Sequence, residues 1–140
     1  MPSPVSIPES VSLAVHALVR MAAERDSVLK LGDLMVRPGS MDHLSKVMQK
    51  LVAAGMVSSR RGRSGGFLLA VDPSDIRLMD VWIALEGTFQ SAVCPFAGRG
   101  CSMRECVFGT VASDAAHLIG DYFSRTTVAD LAGLFMGKGN

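Results

Sequence analysis

Three of the 140 residues are cysteines, and Cys94, Cys101 and Cys106 all fall within thirteen positions, spaced C-x6-C-x4-C. Zinc fingers and ribbons use close pairs such as C-x2-C, and this chain has none. A structural disulfide is disfavoured in a reducing cytoplasm. Two chemistries remain. Three thiolates on a loop loosened by Gly98 and Gly100 could wrap an iron–sulfur cluster, which is held mainly by cysteine sulfur and needs one more ligand. Alternatively, the three could be reactive thiols that oxidise reversibly.

A second group of residues points to phosphate. Between positions 37 and 63 stand Arg37, Lys46, Lys50, Arg60, Arg61 and Arg63 against one acid, Asp42, although the whole chain carries a formal charge of only +1. A basic block inside a near-neutral protein is the electrostatic footprint of nucleic-acid binding. An acidic protein partner or RNA would suit the same face.

The elements that must carry these groups follow from periodicity. Pro8 and Glu9 suit the opening of a helix that runs to about Glu24, with Val11, Ala14, Val15, Leu18, Val19 and Ala22 at helical spacing and Leu13, Ala17 and Met21 widening the stripe. That stripe predicts burial on more than one side. A short second helix is expected over Leu29–Val36, stopped by Pro38-Gly39. Ser40 can cap a third helix over 41–54, where Leu44, Val47, Met48, Leu51 and Val52 form one apolar face and Gly55 ends it. Met56–Arg60 and Phe67–Val71 read as two strands around the glycine-rich tip 61–66. Leu78, Val81, Trp82 and Leu85 indicate a fourth helix closed by Gly87. Val107, Val111, Ala115, Leu118 and Tyr122 trace a narrow apolar seam on a long helix over 107–124, a pattern that suits a partner helix. Thr127 and Asp130 resemble a capping box for a short last helix.

The expected fold is therefore mainly α with a small β-hairpin: a winged helix-turn-helix over 8–87, a cysteine-containing sensor loop over 88–106, and a long dimerisation helix with a short C-terminal helix over 107–135. The major groove admits one helix, so Ser40, Met41, His43, Ser45 and Lys46, on the exposed early positions of helix 41–54, are candidate base readers. Lys50 and Arg60 suit phosphate, and Arg61 and Arg63 on the wing tip suit the narrow minor groove. Double-stranded DNA is the expected partner.

Length and composition exclude much else. At 14.8 kDa the chain has room for about one domain, and its 49% apolar residues can build a core. No stretch approaches the roughly 18 apolar residues of a membrane span, and the opening MPSPVSIPES lacks a signal-peptide layout. A cytoplasmic location is expected. An enzyme, such as a thiol oxidoreductase, is not: there is no C-x-x-C pair and no glycine-rich phosphate loop.

SLAVHALVRMA in the first helix, LVAAGMVSSRRGRSGGFLLA through the wing, LMDVWIALEG, the three-cysteine loop and TTVADLAGLF together resemble the Rrf2 family of regulators over residues 9 to about 135. The wing segment is the most specific part. The resemblance implies a homodimer crossed through helix 107–124, with two winged domains reading a pseudo-palindromic operator. It implies a 2Fe-2S or 4Fe-4S cluster near the dimer interface that tunes DNA affinity in response to iron, nitric oxide, oxygen or redox state. Arg61 matches the family's minor-groove arginine, and Ser40, His43, Ser45 and Lys46 match its reading positions. Cys94, Cys101 and Cys106 match its cluster ligands, with the middle cysteine displaced by one residue from the commoner C-x5-C-x5-C. Where some members carry a further histidine ligand this chain has Gly109, and where others use an acid it has Ser12. His16, one turn beyond Ser12, matches a position that ligates in one cluster-binding subgroup. A cluster-free, thiol-sensing regulator of the same fold is the alternative.

Overall fold

The first helix is the hub of the core. In the computed structural model, which describes residues 3–89, 94–96 and 99–137, α1 spans Glu9–Ala23. Pro8 sits just outside it, its carbonyl accepting from the Ser12 amide at 3.0 Å. Val11, Ala14, Ala17 and Leu18 are fully buried, so α1 is covered on two sides as its wide stripe requires. The small Ala14 and Ala17 side chains let neighbouring helices approach closely. Those neighbours are α2 (Met41–Ala53), α3 (Leu78–Glu86) and the short α5 (Val128–Leu131).

The second predicted helix is not α-helical. Leu31–Leu34 form a single 3₁₀ turn, because the backbone of Leu29 is committed elsewhere: it exchanges hydrogen bonds of 3.1 and 2.8 Å with Phe67. That bridge adds a short third rung to the hairpin of β1 (Val57–Arg60) and β2 (Gly66–Leu69), which pair antiparallel from Val57 with Leu69 to Arg60 with Gly66. Arg20 ties the 3₁₀ turn to the C-terminal segment. Its guanidinium donates to the Asp33 carbonyl, pairs with Glu24 at 2.7 Å and lies 5.2 Å from the centre of the Phe135 ring.

The long helix also begins later than its seam suggests. α4 runs Val111–Arg125, and residues 107–110 form a turn with Gly109 at φ +59°, a left-handed conformation that no helix continues through. Phe89 and Phe123 meet Trp82 edge-on, with ring centres 5.1 and 5.9 Å away, and fasten α3 to α4. Gly120 makes room for this packing, since a Cβ there would lie 3.3 Å from the Phe89 ring. The chain then returns to the hub. The Val128 amide donates to the Ile76 carbonyl at 2.8 Å, and Thr127 and Asp130 form the expected capping box. In the turn before α3, two hydrogen bonds from Ser74 hold the Asp72 carboxyl below the usual carboxylate range. Residues 90–93, 97 and 98 of the expected sensor loop lie outside the described residues. Among the described residues no helix is long and apolar enough to cross a membrane.

The hairpin's anchor sets a testable constraint. Gly66 has φ +153°, and a Cβ there would lie 2.5 Å from the Leu29 carbonyl oxygen. Gly66→Ala should cost about 2 kcal/mol or more of stability in denaturant unfolding, since the obstacle is backbone rather than a flexible side chain. Gly32→Ala, with nothing within 4 Å, is the control that should be close to neutral.

Candidate DNA-binding surface and cysteine loop

The two faces of α2 separate cleanly. Leu44, Val47, Met48 and Leu51 point into the core, while Met41, Asp42, Lys46, Gln49 and Lys50 are exposed. Ser40 caps the helix as expected: its hydroxyl accepts from the His43 amide at 3.1 Å, satisfying one of the free donors of the first turn. His43 and Ser45 are half-buried at the edge of the outer face. Lys50 does not hang free. Its ammonium lies 3.4 Å from the Leu85 carbonyl, at the C-terminal end of α3, where the helix dipole favours a cation.

One contact at this surface is invisible to sequence spacing. The Nδ1 of His43 lies 2.8 Å from the Glu9 carboxylate, joining the first turn of α1 to the first turn of α2 across 34 residues. Beside it, the Ser10 hydroxyl donates to Glu86 of α3 at 2.6 Å. Helical spacing marks Glu9 only as a favourable charge near a helix N-terminus, so no local signal could have exposed this pairing.

The wing presents its arginines. Arg60, Arg61 and Arg63 are all exposed, on a tip that turns through Gly62 at φ +98° and closes with a 3.0 Å bond from the Gly65 amide to the Gly62 carbonyl. Gly65 has no room for a side chain, because a Cβ would stand 2.4 Å from the Arg60 carbonyl. The tip is therefore tight rather than merely loose, and it holds the arginines outward. Wing and outer α2 both present exposed cations: Arg60, Arg61 and Arg63 on the hairpin, Lys46 and Lys50 on the helix.

The three cysteines gather around one recess. Cys94 is half-buried, Cys101 and Cys106 are exposed, and all three are free thiols. They line a shallow hollow of about 220 Å³ together with Phe96, Met103 and Phe108. Among the described residues, however, no group of three His, Cys, Asp or Glu side chains stands close enough together to hold a metal ion. His16 is separate from this hollow. It is exposed on α1 and lines two other recesses, neither of which contains a cysteine. Its Nδ1 lies 2.6 Å from the Ser12 carbonyl, which can only accept, so Nδ1 carries the proton and Nε2 is the nitrogen left for a ligand.

The predicted seam on α4 faces outward. Leu118 is 72% exposed and Val111 64%, and Tyr122 lies on the same side, whereas Ala116 and Phe123 face the body. Phe108 and Val107 in the preceding turn continue this apolar strip to the cysteine recess. Val107, expected on the helix, belongs to that turn.

Comparison with known proteins agrees with this geometry. The family described as Rrf2, iron-dependent transcriptional regulator, matches residues 7–133. An HTH-type transcriptional regulator of Aquifex aeolicus is 29% identical over 127 residues, 88% of each chain. The HTH-type transcriptional regulator IscR of Yersinia enterocolitica is 30% identical over 121 residues, covering 84% of this chain and 73% of its own. The structure of CymR, the global cysteine regulator of B. subtilis, shares the fold with a TM-score of 0.72 at 21% identity, over 94% of this chain and 98% of its own. With its winged fold, exposed basic helix and arginine-tipped hairpin, the chain belongs to the Rrf2 family of transcriptional regulators, which bind DNA and are not enzymes.

Proposed function

We propose that this protein is a dimeric regulator that binds a pseudo-palindromic operator and adjusts its affinity through Cys94, Cys101 and Cys106. The observation that carries the reading is the continuity of surfaces: an outward apolar strip on α4 runs into the recess that the three cysteines line. Exposed large apolar side chains in a row mark an interaction face. A second copy packed along Leu118 and Tyr122 would cover that strip and bring each cysteine loop beside the partner. DNA contact falls to Ser40, Met41, His43, Ser45 and Lys46 on α2, with Lys50 and Arg60 near phosphate and Arg61 and Arg63 in the minor groove.

The donor set suits an iron–sulfur cluster in kind. Three thiols share one recess, apolar side chains flank them, and the exposed thiols leave the loop free to close. Cys94, Cys101 and Cys106 would hold it, with His16 as fourth ligand through Nε2, its Nδ1–H already fixed on a carbonyl as metal-bound histidines commonly have it. Because His16 lines no recess with the cysteines of its own chain, that ligand would have to come from the partner in the dimer. A bound 2Fe-2S or 4Fe-4S cluster would supply one-electron redox chemistry and reactivity towards oxygen or nitric oxide. The chain's own part is to shield it with Phe96 and Phe108 and to transmit loop closure to α4.

A second reading has its own support. The three thiols are free, Cys101 and Cys106 are exposed, and among the described residues they do not form a group close enough to hold a metal ion, which suits a thiol sensor. Two of them would pass two electrons and two protons to a peroxide, forming one disulfide and water.

Three measurements test these readings. Arg61→Ala should weaken DNA binding about tenfold and flatten its salt dependence by roughly one ion per wing, read by fluorescence anisotropy at several salt concentrations. Unchanged affinity would remove the wing from the interface. Leu118→Asp should convert a dimer to a monomer in sedimentation velocity, and a wild type that already sediments as a monomer sinks the dimer. Protein purified without oxygen should contain iron and acid-labile sulfide in equal amounts, lost in Cys101→Ala. Their absence after reconstitution, with a Cys101-dependent disulfide after peroxide, would select the thiol sensor.

A further inference from the structure

We infer that Glu9 is a positioning residue for DNA recognition: it holds the His43 imidazole at the start of α2 and so couples DNA binding to the uptake of a proton. The inference rests on the reading of α2 as the DNA-facing helix. His43 is pinned at two points, its backbone amide by the Ser40 hydroxyl at 3.1 Å and its Nδ1 by the Glu9 carboxylate at 2.8 Å. An ionised carboxylate only accepts, so Nδ1 carries a proton in either charge state of the ring. The state of the ring is then written entirely on Nε2. A neutral ring offers a lone pair there, which can accept from the amino group of cytosine or adenine. The cation offers an N–H, which can donate to guanine or to a phosphate.

Electrostatics decides which state DNA selects. The Glu9 side chain is 61% exposed beside the first turn of α2, where an unbalanced carboxylate would repel the phosphate backbone. Pairing with the imidazolium cancels that charge, so the protonated pair meets DNA as a neutral unit and the deprotonated pair meets it as an anion. The positive end of the α2 dipole works against a cation at His43, and Glu9 is the group that offsets it. Other charged groups stand on the surrounding elements. They are Arg37 before α2, in the same recess as Glu9; Asp42 and Lys46 on α2; Glu86 on α3, held by Ser10; and Asp33, held by the Lys30 amide at 3.0 Å. Histidine is the side chain that changes charge near neutrality.

The test uses the full chain and a duplex that the protein itself selects from a random library, with the dissociation constant measured from pH 5.5 to 8.5 at fixed ionic strength. Wild type should bind more weakly as pH rises, by several-fold per pH unit, with a ceiling of about tenfold per pH unit for each proton taken up and so about a hundredfold for a dimer that takes up two. His43→Asn and Glu9→Gln should flatten the profile, whereas Glu9→Asp, which keeps the carboxylate, should restore part of it. His117→Asn should leave the slope unchanged. A wild type that binds with no pH dependence overturns the coupling alone, as does a Glu9→Gln variant with the wild-type slope or a slope that follows His117. A folded wild type that binds no duplex at any pH overturns the reading of α2 itself, and this inference with it.

Discussion

Everything in this molecule depends on burying α1 on two sides. Val11, Ala14, Ala17 and Leu18 have no exposed surface, and α2, α3 and α5 reach the core by packing on them. Burying a valine or leucine side chain such as Val11 or Leu18 is worth about 1.5–3 kcal/mol, so the cluster is the main source of orientation for the helices around it. α2 is seated on this cluster as well. Its inner residues, Leu44, Val47, Met48 and Leu51, bury into the same cluster, and this fixes which of its faces is left outside. The Glu9 to His43 pair and the Ser10 to Glu86 bond then join the start of α1 to the two neighbouring helices. A short polar sequence at one helix end thus sets a register that apolar packing alone would leave free to slide.

Much of the architecture was legible because its signals are local. α1, α2 and α3 follow a 3.6-residue apolar period, Ser40 and Thr127 act as caps, and Gly55 and Gly87 end helices in positive-φ conformations. The hairpin was legible from its glycines, and the arginines of its tip are exposed as expected. What failed depended on distant partners. Leu29–Val36 carries a helical pattern, but Leu29 gives both backbone groups to Phe67, so only a 3₁₀ turn remains. Residues 107–110 continue the α4 seam in type, yet Gly109 turns the chain left-handed and the helix starts at Val111. The same limit applied at the surface. Lys46 and the wing arginines were readable from charge, whereas the engagement of Lys50 with the end of α3 and of His43 with Glu9 required the tertiary structure.

The cysteine spacing is a different case, since it states a chemistry without stating a geometry. C-x6-C-x4-C places three thiols on one loop, and the fold brings them to one recess, but a recess is compatible with a cluster and with free thiols alike. The distinction turns on a fourth donor. His16 has the right tautomer and an available Nε2, but it stands on α1, away from the cysteines of its own chain. If His16 is that donor, the proposed cluster spans two copies of the chain and depends on the proposed dimer.

That dependence bears on how a signal would reach DNA. The cysteine loop precedes α4, α4 is fastened to α3 by the Trp82, Phe89 and Phe123 rings, and α3 packs on both α1 and α2. In the proposed dimer, joined along Leu118 and Tyr122, a shift of α4 therefore has a continuous packed route to α2. Close-packed interiors transmit displacement because they have little free volume to absorb it. The two half-sites of an operator lie about one DNA turn apart, so the separation of the two α2 helices must be correct for both to dock at once. A coupling of about 1.4 kcal/mol between loop state and that separation changes DNA affinity tenfold. The loop needs no large movement. In the proposed dimer it would only have to favour one packing of α4 against the second copy over another.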